Sequence, residues 1–290
     1  MTVLVTGGTG FVGRFVVEAL LRQGRAVRVM GRTAPPGGLF SGPVGFVQGS
    51  LDPDRDLSSA FDGVTHLVHA AFDHVPGRYR GGEGDDPKTF RRRNLDGSVA
   101  LFEAAKRAGA GRTVFLSSRA VYGVQLPGAD LAEHMEPHPD TLYGEVKLAA
   151  ERALTAMSDD GFRGISLRVT GVYGPPAPRR PHKWSDLFDD YLAGRPVAPR
   201  RATEVHGDDA AAAVLAALDA PEPPPVLNVS DIVLDRHDLL AIVQAATGSP
   251  HPLPPRSGEP VNAMDCALLR SLGWRPGGTE LLEHTVRAML

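Results

Sequence analysis

The chain has 290 residues, a formal net charge of −3 at pH 7 and 42% hydrophobic residues, which allows one large α/β domain with or without a small appendage. Its acidic balance argues against a nucleic-acid-binding protein, which needs a concentrated basic patch. The single cysteine, Cys266, excludes an internal disulfide framework, and the longest apolar run, residues 210–218, is too short to span a bilayer, so we expect a cytoplasmic protein without nucleic-acid or membrane partners.

The first stretch of the chain is a short apolar run that ends in the glycine-rich sequence TGGTGFVG. An amphipathic pattern over residues 11–21 follows directly, so the order is strand, tight turn, helix. Gly8, Gly10 and Gly13 match the dinucleotide pattern G-x-G-x-x-G in the setting that the pattern requires. Such a turn lets the backbone approach a pyrophosphate at the positive end of the helix. The predicted contacts with the cofactor are Gly7, Gly10, Phe11, Val12 and Gly13.

The remaining pattern alternates apolar runs with amphipathic segments, which is typical of a parallel sheet wound on both faces. We therefore predict an α/β fold, a doubly wound parallel Rossmann sheet with a small C-terminal substrate-binding lid. Predicted strands are residues 26–30, 44–47, 64–71, 112–118, 165–169 and 226–229; predicted helices are residues 87–108, 142–157, 184–192, 208–219, 236–246 and 267–290; residues 77–87 form a predicted loop. Asp208 and Asp209 are the predicted N-cap of the helix that they begin.

The domain boundaries follow from where this alternation ends. Residues 1–169 form the predicted dinucleotide-binding domain, which residues 207–230 complete. Residues 170–206 and 231–290 are rich in proline and glycine or lack a place in the sheet, so we assign them to the lid over the carboxyl ends of the strands, where such sheets bind ligands.

The end of the second strand indicates the cofactor. Met30 is followed by Gly31 and Arg32, and no acidic residue occurs until Asp52. A carboxylate at this place holds the ribose hydroxyls of NAD, whereas an arginine accommodates the 2′-phosphate of NADP through its fork of donors. We predict NADP, with NAD as the alternative.

Tyr143 and Lys147 are four residues apart, on one face of the helix predicted there. A free tyrosine has a pKa of about 10, and a nearby ammonium favours its phenolate and brings the pKa towards the working range. Ser117 and Ser118 end the fifth strand, at the edge of the sheet where ligands bind. The sequence thus predicts an acid–base site at this edge.

Together these motifs resemble the extended short-chain dehydrogenase/reductase family, the branch of the NAD-dependent epimerases and dehydratases. The resemblance covers nearly the whole chain, with the motifs in family order: TGGTGFVG, HAA from His69, RNLDGSVALFEAA around Asn94, FLSSRAVYG, YGEVK, LRVTGVYGP, VHGDDAA, LNVS and LGWRP.

The resemblance implies roles for individual residues. Tyr143 is the proton donor or acceptor, Lys147 binds the nicotinamide ribose, and Ser118, rather than Ser117, orients the substrate oxygen. It further implies cofactor contacts from Ala70, Ala71, Tyr143 and Lys147, and substrate contacts from Asn94, Ser118, Arg119 and Tyr173.

Several of these residues have a structural alternative. Asn94 is equally suited to a hydrogen bond within a helix, Tyr173 to packing under the lid, and Ser117 to bonding at the strand end. His69 lies on a buried strand, where we expect the backbone to satisfy it. No set of His, Cys and acidic residues has metal-ligand spacing, so we predict no metal site.

Two departures from the family pattern narrow the function. Arg119 and Ala120 occupy the places where the dehydratases carry an acidic pair, which disfavours 4,6-dehydratase chemistry. Ala202 occupies the place of an arginine that nucleotide-sugar members carry before VHGDD, which puts a nucleotide diphosphate handle in doubt. Basic residues in the predicted lid suit a phosphate or a carboxylate nonetheless: Arg179, Arg180, His182 and Lys183.

The leading hypothesis is an NAD(P)-dependent oxidoreductase that acts on a carbonyl or secondary alcohol of a sugar-like or other small polar substrate. The first alternative is a redox-neutral nucleotide-sugar epimerase. The second is a non-catalytic protein that senses NADP, which retention of Ser118, Tyr143 and Lys147 disfavours. A small-molecule substrate is expected, and the sequence leaves open whether the chain forms a homodimer.

Overall fold

Seven parallel strands form the central sheet of the computed structural model, which describes residues 1–74, 82–178 and 180–290. In chain order the strands are β1 (Thr2–Thr6), β2 (Ala26–Gly31), β3 (Gly45–Gln48), β4 (His66–His69), β5 (Arg112–Ser118), β6 (Arg163–Val169), β7 (Gly171–Tyr173), β8 (Arg201–His206), β9 (Val226–Val229) and β10 (Ile232–Asp235). The central sheet has the order β3-β2-β1-β4-β5-β6-β9. The predicted doubly wound parallel sheet is confirmed.

Helices cover both faces of this sheet, which explains why its inner strands are mostly buried and rich in apolar residues. In chain order they are α1 (Phe11–Arg22), α2 (Pro87–Arg91), α3 (Gly97–Arg107), α4 (Leu142–Met157), α5 (Ser185–Leu192), α6 (Gly207–Asp219), α7 (Arg236–Thr247), α8 (Ala267–Ser271) and α9 (Gly278–Ala288). On one face α1 and α6 bury Leu20 and Val214 against the sheet, and on the other α3 and α4 bury Phe102 and Leu154. Within the described ranges, no helix is both long and apolar enough to cross a membrane.

A second, three-stranded sheet lies beyond the end of β6 and has the order β10-β8-β7. It packs with α5, α7 and α9 around a separate apolar cluster, in which Tyr173, Trp184, Phe188, Leu240 and Val286 are buried. We call these elements the C-terminal unit. They correspond in sequence to the predicted lid, and their role as a lid remains a prediction.

The predicted helix over residues 267–290 is wrong as one element, since it is divided into α8 and α9. Gly273 between them has φ +90°, a left-handed conformation that ends a helix. The indole nitrogen of Trp274 donates to the backbone oxygen of Asp209 at 2.9 Å, which attaches the connection to α6.

The predicted N-cap of α6 is also wrong. His206 is the cap, because its Nδ1 accepts from the backbone N–H of Asp208 at 3.1 Å. Asp208 and Asp209 lie in the first turn, where acids are favourable next to the helix dipole. Asp209 instead accepts from the backbone N–H of Gly277, before α9.

The predicted helix over residues 87–108 is present but contains a π turn, Arg92–Asp96, between α2 and α3. One extra residue in such a turn redirects the side chains that follow. Residues 77–81 of the predicted loop lie outside the described residues, as does Arg179.

Gly123 follows a 3₁₀ turn after β5 and is a point where the fold demands glycine. It has φ +59°, and a Cβ there would lie 1.6 Å from the backbone oxygen of His138. Gly24 has φ +67° but no atom within 4 Å of its Cβ position. We predict that Gly123→Ala destabilises the fold by at least about 2 kcal/mol more than Gly24→Ala, because both place alanine at a positive φ and only Gly123→Ala adds a backbone clash. Denaturant unfolding of both variants measures this, and equal losses would contradict it.

Candidate active site

A cavity of about 1650 Å³ lies at the carboxyl ends of the parallel strands. Residues that follow β1, β4, β5 and β6 line one side of it, and residues of the C-terminal unit line the other. We call it the sheet-edge cavity. Its position is the one at which open α/β sheets bind ligands.

The glycine turn after β1 closes tightly enough to exclude side chains. The N–H of Gly10 donates to the oxygen of Gly7 at 2.9 Å, and a Cβ on Gly13 would lie 2.1 Å from that oxygen. Gly7, with φ +70°, leaves no room for a Cβ beside the backbone nitrogen of Ala71. Sequence-predicted cofactor residues that line the cavity here are Gly7, Gly10, Phe11, Val12, Gly13, Ala70 and Ala71.

The N-terminus of α1 faces this cavity without a side-chain cap, because its N-cap is Gly10. The first N–H groups of a helix lack partners within the helix, and together with the dipole they attract an anion. The turn thus offers a cradle for a phosphate group.

Arg32, at the end of β2, lines the cavity with its side chain 81% exposed. Its Nη1 lies 4.0 Å from a carboxylate oxygen of Asp73, and Arg93 donates to the other oxygen at 2.7 Å. Asp73, in the loop after β4, was not among the sequence-predicted site residues, since nothing in the sequence places it beside β2. Two guanidiniums therefore share one carboxylate at this corner of the cavity.

Tyr143 and Lys147 both line the cavity from the first turns of α4. Thr141 caps this helix by accepting from the N–H of Gly144 at 3.1 Å, which sets where the two side chains begin. The Tyr143 ring meets the Phe72 ring edge-on at 5.0 Å, and Lys147 Nζ lies 5.9 Å from the Tyr143 ring centre. Phe72 was missed by the sequence analysis.

Lys147 is a buried cation, with 4% of its surface exposed. Its Nζ donates to the backbone oxygen of Leu116 at 2.6 Å and lies over the faces of Phe72 and Phe115 at 4.4 and 4.6 Å. Burial lowers the pKa of Lys147 to about 7, a shift that the Glu151 carboxylate opposes. This ammonium can therefore change its charge near neutral pH.

Ser118 ends β5 at the cavity, and its Oγ accepts from the N–H of Ala120 at 3.1 Å. Ser117, one residue earlier, donates to the buried carboxylate of Glu151. Arg119 is half-buried in the cavity wall and donates to the backbone oxygen of Asn262 at 3.1 Å. Because Ser118, Tyr143 and Lys147 line one cavity, the fold brings the three predicted catalytic side chains together.

Two predicted substrate residues lie outside the cavity lining. Asn94, in the π turn, exchanges hydrogen bonds of 2.7 Å with the backbone N–H and oxygen of Asp73, so it anchors the loop that carries Phe72. Tyr173 stacks on Trp184 at 5.2 Å in the core of the C-terminal unit, where burial raises its pKa. Both side chains thus have structural contacts, and their roles as substrate contacts stay predictions.

Charged side chains of the C-terminal unit line the far side of the cavity. Lys183 forms an ion pair with Glu204, and Arg236, with Nη1 on the backbone oxygen of Ala198 at 3.0 Å, lies near Arg200. Of the basic residues expected to serve the lid, Lys183 is thus paired with an acid. Glu204 and Arg236 were missed, because the sequence pattern shows no β8 or β10.

His69 is fully buried, and its expected backbone partner is wrong. Its Nδ1 lies 2.7 Å from the hydroxyl of Thr6 and its Nε2 lies 2.8 Å from that of Ser98. Burial lowers the pKa of His69 to about 3. Within residues 1–74, 82–178 and 180–290, no group of three or more His, Cys, Asp and Glu side chains is placed to hold a metal ion.

The low pKa of His69 predicts an acid sensitivity of the fold. Its ordinary pKa is 6.5, so between pH 6.5 and about 3 the unfolded chain binds a proton that the folded chain does not, and stability falls as the pH falls. We expect His69→Gln to be less stable than the parent at pH 8 and the difference to shrink by about 2 kcal/mol at pH 5. Denaturant unfolding at both pH values measures this. His284→Gln, at an exposed position, is the control and should keep the parent's pH dependence; the same dependence in His69→Gln would contradict the prediction.

Comparison with known proteins identifies a matching family model and related enzymes. The model of the NAD dependent epimerase/dehydratase family matches residues 3–230. A 3 beta-hydroxysteroid dehydrogenase/Delta 5-->4-isomerase of Mycobacterium tuberculosis is 34% identical over 181 residues, and a UDP-glucose 4-epimerase of Streptomyces lividans is 33% identical over 184 residues. Each match covers 59% of this chain, but 47% and 52% of those proteins, so the chain spans about half of their length.

A solved structure is similar over the whole chain. It is the UDP-glucose 4-epimerase of Thermus thermophilus in complex with NAD, with a TM-score of 0.79 and 30% identity. The match covers 100% of this chain and 99% of the other. The central sheet and the C-terminal unit therefore share one arrangement with a protein that binds NAD.

Proposed function

This chain belongs to the NAD-dependent epimerase/dehydratase family, and from that premise we propose that it is an NAD(P)-dependent oxidoreductase. The reaction is hydride transfer between C4 of the nicotinamide and a carbonyl or secondary alcohol of a small polar substrate. The observation that carries the proposal is that Ser118, Tyr143 and Lys147 line the same cavity as the glycine turn.

The residues of the glycine turn suit a dinucleotide. The tight turn at Gly7 and Gly13, which lets the backbone come close to a ligand, and the uncapped N-terminus of α1 would hold the pyrophosphate. Lys147 and Tyr143 would hold the nicotinamide ribose, beside Ala70 and Ala71. When bound, the nicotinamide supplies or accepts the hydride.

Tyr143 is the proposed general acid and base. Its hydroxyl gives a proton to the carbonyl oxygen as hydride arrives, or takes one from the alcohol in the reverse direction. The ammonium of Lys147 favours the phenolate form of Tyr143 by its charge. Ser118 orients the substrate oxygen by a hydrogen bond from its hydroxyl.

NADP is the proposed cofactor, with NAD as the alternative. Arg32 at the end of β2 is exposed to the cavity and is the proposed partner of the 2′-phosphate. Arg93 takes part of the charge of Asp73, so the corner keeps a net positive charge. The similar Thermus thermophilus structure contains NAD, which is the reason to keep NAD as the alternative and to measure the binding of both cofactors.

A redox-neutral epimerisation is the second candidate, because two of the similar proteins are UDP-glucose 4-epimerases. It requires that the oxidised intermediate turns within the cavity and is reduced again in place. The C-terminal unit, as a lid, would hold the substrate on the side of Lys183, Glu204 and Arg236, which favours a polar substrate.

Net consumption of reduced cofactor distinguishes a net reduction from a redox-neutral epimerisation.

We predict that Tyr143→Phe lowers turnover by about 10²–10⁴-fold, because it removes the acid–base hydroxyl and keeps the ring beside Phe72. The measurement is the absorbance of the reduced nicotinamide with a carbonyl substrate that the parent reduces. Tyr191→Phe is the matched control; its hydroxyl donates to the backbone oxygen of His251 in the C-terminal unit, so turnover should persist. Parental turnover in Tyr143→Phe would remove the assignment.

We predict that Arg32→Ala weakens NADPH binding by about 10–100-fold and leaves NADH binding nearly unchanged, because a charged hydrogen bond to the 2′-phosphate is lost. Asp73→Asn is the opposite control and should tighten NADPH binding a few-fold, since it removes the anion 4.0 Å from Arg32. Fluorescence titration with each reduced cofactor measures both effects. Equal losses for NADPH and NADH in Arg32→Ala would exclude recognition of the 2′-phosphate.

A further inference from the structure

A buried ion pair begins one helical turn after Lys147, at Glu151 on α4. Glu151 and Arg168 have side chains only 3% and 5% exposed. Arg168 Nε lies 3.2 Å from both carboxylate oxygens of Glu151, and its Nη2 lies 2.9 Å from one of them. Neither residue belongs to the cavity lining, so the pair does not face substrate or cofactor.

The fold places the carboxylate of this pair on the same helix face as the ammonium of Lys147. Glu151 is one helical turn after Lys147 on α4, so the two side chains lie on one face of the helix. That face meets consecutive residues of β5, because Lys147 donates to the oxygen of Leu116 and Ser117 donates to Glu151. Arg168 is the register partner of Ser117 on β6. Glu151 thus shares a helix face with one cation, Lys147, and forms an ion pair with another, Arg168.

Among the described residues, the other titratable groups around Lys147 contribute little charge. His69 on β4 stays neutral, because burial lowers its pKa to about 3. Asp73, in the loop after β4, is paired with Arg93. Tyr143 on α4 is a further titratable group near Lys147. Arg168 on β6 has other contacts besides Glu151: its guanidinium lies 4.7 Å from the centre of the Tyr122 ring and near the backbone oxygen of Glu133. Within the part of the chain that the structure describes, Glu151 is therefore the acid whose charge acts on the Lys147 ammonium.

We propose that Glu151 and Arg168 are positioning residues that set the charge of Lys147. Glu151 stabilises the ammonium against its burial, and the Arg168 cation limits the field of Glu151 that reaches Lys147. The inference rests on the proposed function, in which that ammonium tunes Tyr143 and holds the ribose. It adds two residues to the machinery that never touch a reacting atom.

The charge on Lys147 is sensitive to this pair because its pKa is about 7. At a pH near 7 the side chain is therefore about half charged. A shift of its pKa by one unit in either direction makes it mostly neutral or mostly charged. A neutral amine does not favour the Tyr143 phenolate. Unbalanced charge on either member of the pair therefore changes the acid–base group of the site.

The test reads the titration of Lys147 directly in the full chain, without substrate. The sequence contains four lysines, Lys88, Lys106, Lys147 and Lys183. Lysine labelled with ¹³C at Cε therefore gives four signals, and the Lys147 signal is the one missing in Lys147→Arg. Its chemical shift against pH reports the pKa.

The two members of the pair should move the Lys147 titration in opposite directions. Glu151→Gln leaves the Arg168 cation unbalanced, so we expect the pKa of Lys147 to fall by about 1–2 units. Arg168→Met leaves the Glu151 anion with Lys147 as its counterion, so we expect a rise of about 1 unit. In the double variant the Lys147 pKa should lie between those of the parent and Glu151→Gln. Ser117→Ala, which removes an uncharged contact to the same carboxylate, is the control and should leave the titration in place.

Two results would overturn the proposal: shifts of the Lys147 pKa in the same direction in both single variants, or shifts no larger than that in Ser117→Ala. Lost packing alone would not move this pKa in opposite directions in the two variants. If one single variant fails to fold, the sign of the shift in the other decides. The pH profile of turnover in any folded variant should move with the Lys147 pKa. The titration needs no turnover, so a failure of the Tyr143 assignment and a failure of this inference are separate results.

Discussion

The structure depends on one buried cation. Lys147 has almost no exposed surface. Its ammonium donates to a backbone oxygen of β5 and lies over two aromatic faces, and the charge of a carboxylate one helical turn away favours it. Removal of an ammonium from water is costly, so each of these partners must be in place for the charge to persist. The packing of α4 on β5 therefore also determines where the side chains of the candidate active site lie.

The parallel sheet is what brings distant residues to this cation. Strands β1, β4, β5 and β6 end at one edge, so the glycine turn, Ala70, Ser118 and Thr170 face a common cavity. The loop after β4 is held there by Asn94, whose amide bonds the backbone of Asp73 on both sides. An interruption of the helix by a π turn thus supports the wall of the cavity that Phe72 forms.

The sequence analysis was accurate where the hydrophobic pattern is strong. Predicted strand β5 agrees with the structure at both ends, as does helix α4, because each has a clear apolar face and a clear stop. The sequence-based predictions were wrong where tertiary contacts decide how a helix begins or ends. His206 rather than an aspartate caps α6, and a Trp274 contact to α6 accompanies the break between α8 and α9. The strands of the small sheet were missed because β7 and β8 are short or polar and carry no periodic signal.

By itself, the sequence determined the sheet, the dinucleotide turn and the pairing of Tyr143 with Lys147, since glycine spacing and helical periodicity are local properties of the chain. Only the tertiary structure decided which side chains surround them. Glu151, one helical turn after Lys147, meets Arg168, and Asp73 meets Arg32, across separations in sequence that no periodicity records. It also separated Tyr173 and Asn94 from the cavity. Burial and charge at a site come from the packing of elements against one another, and local sequence carries no measure of either.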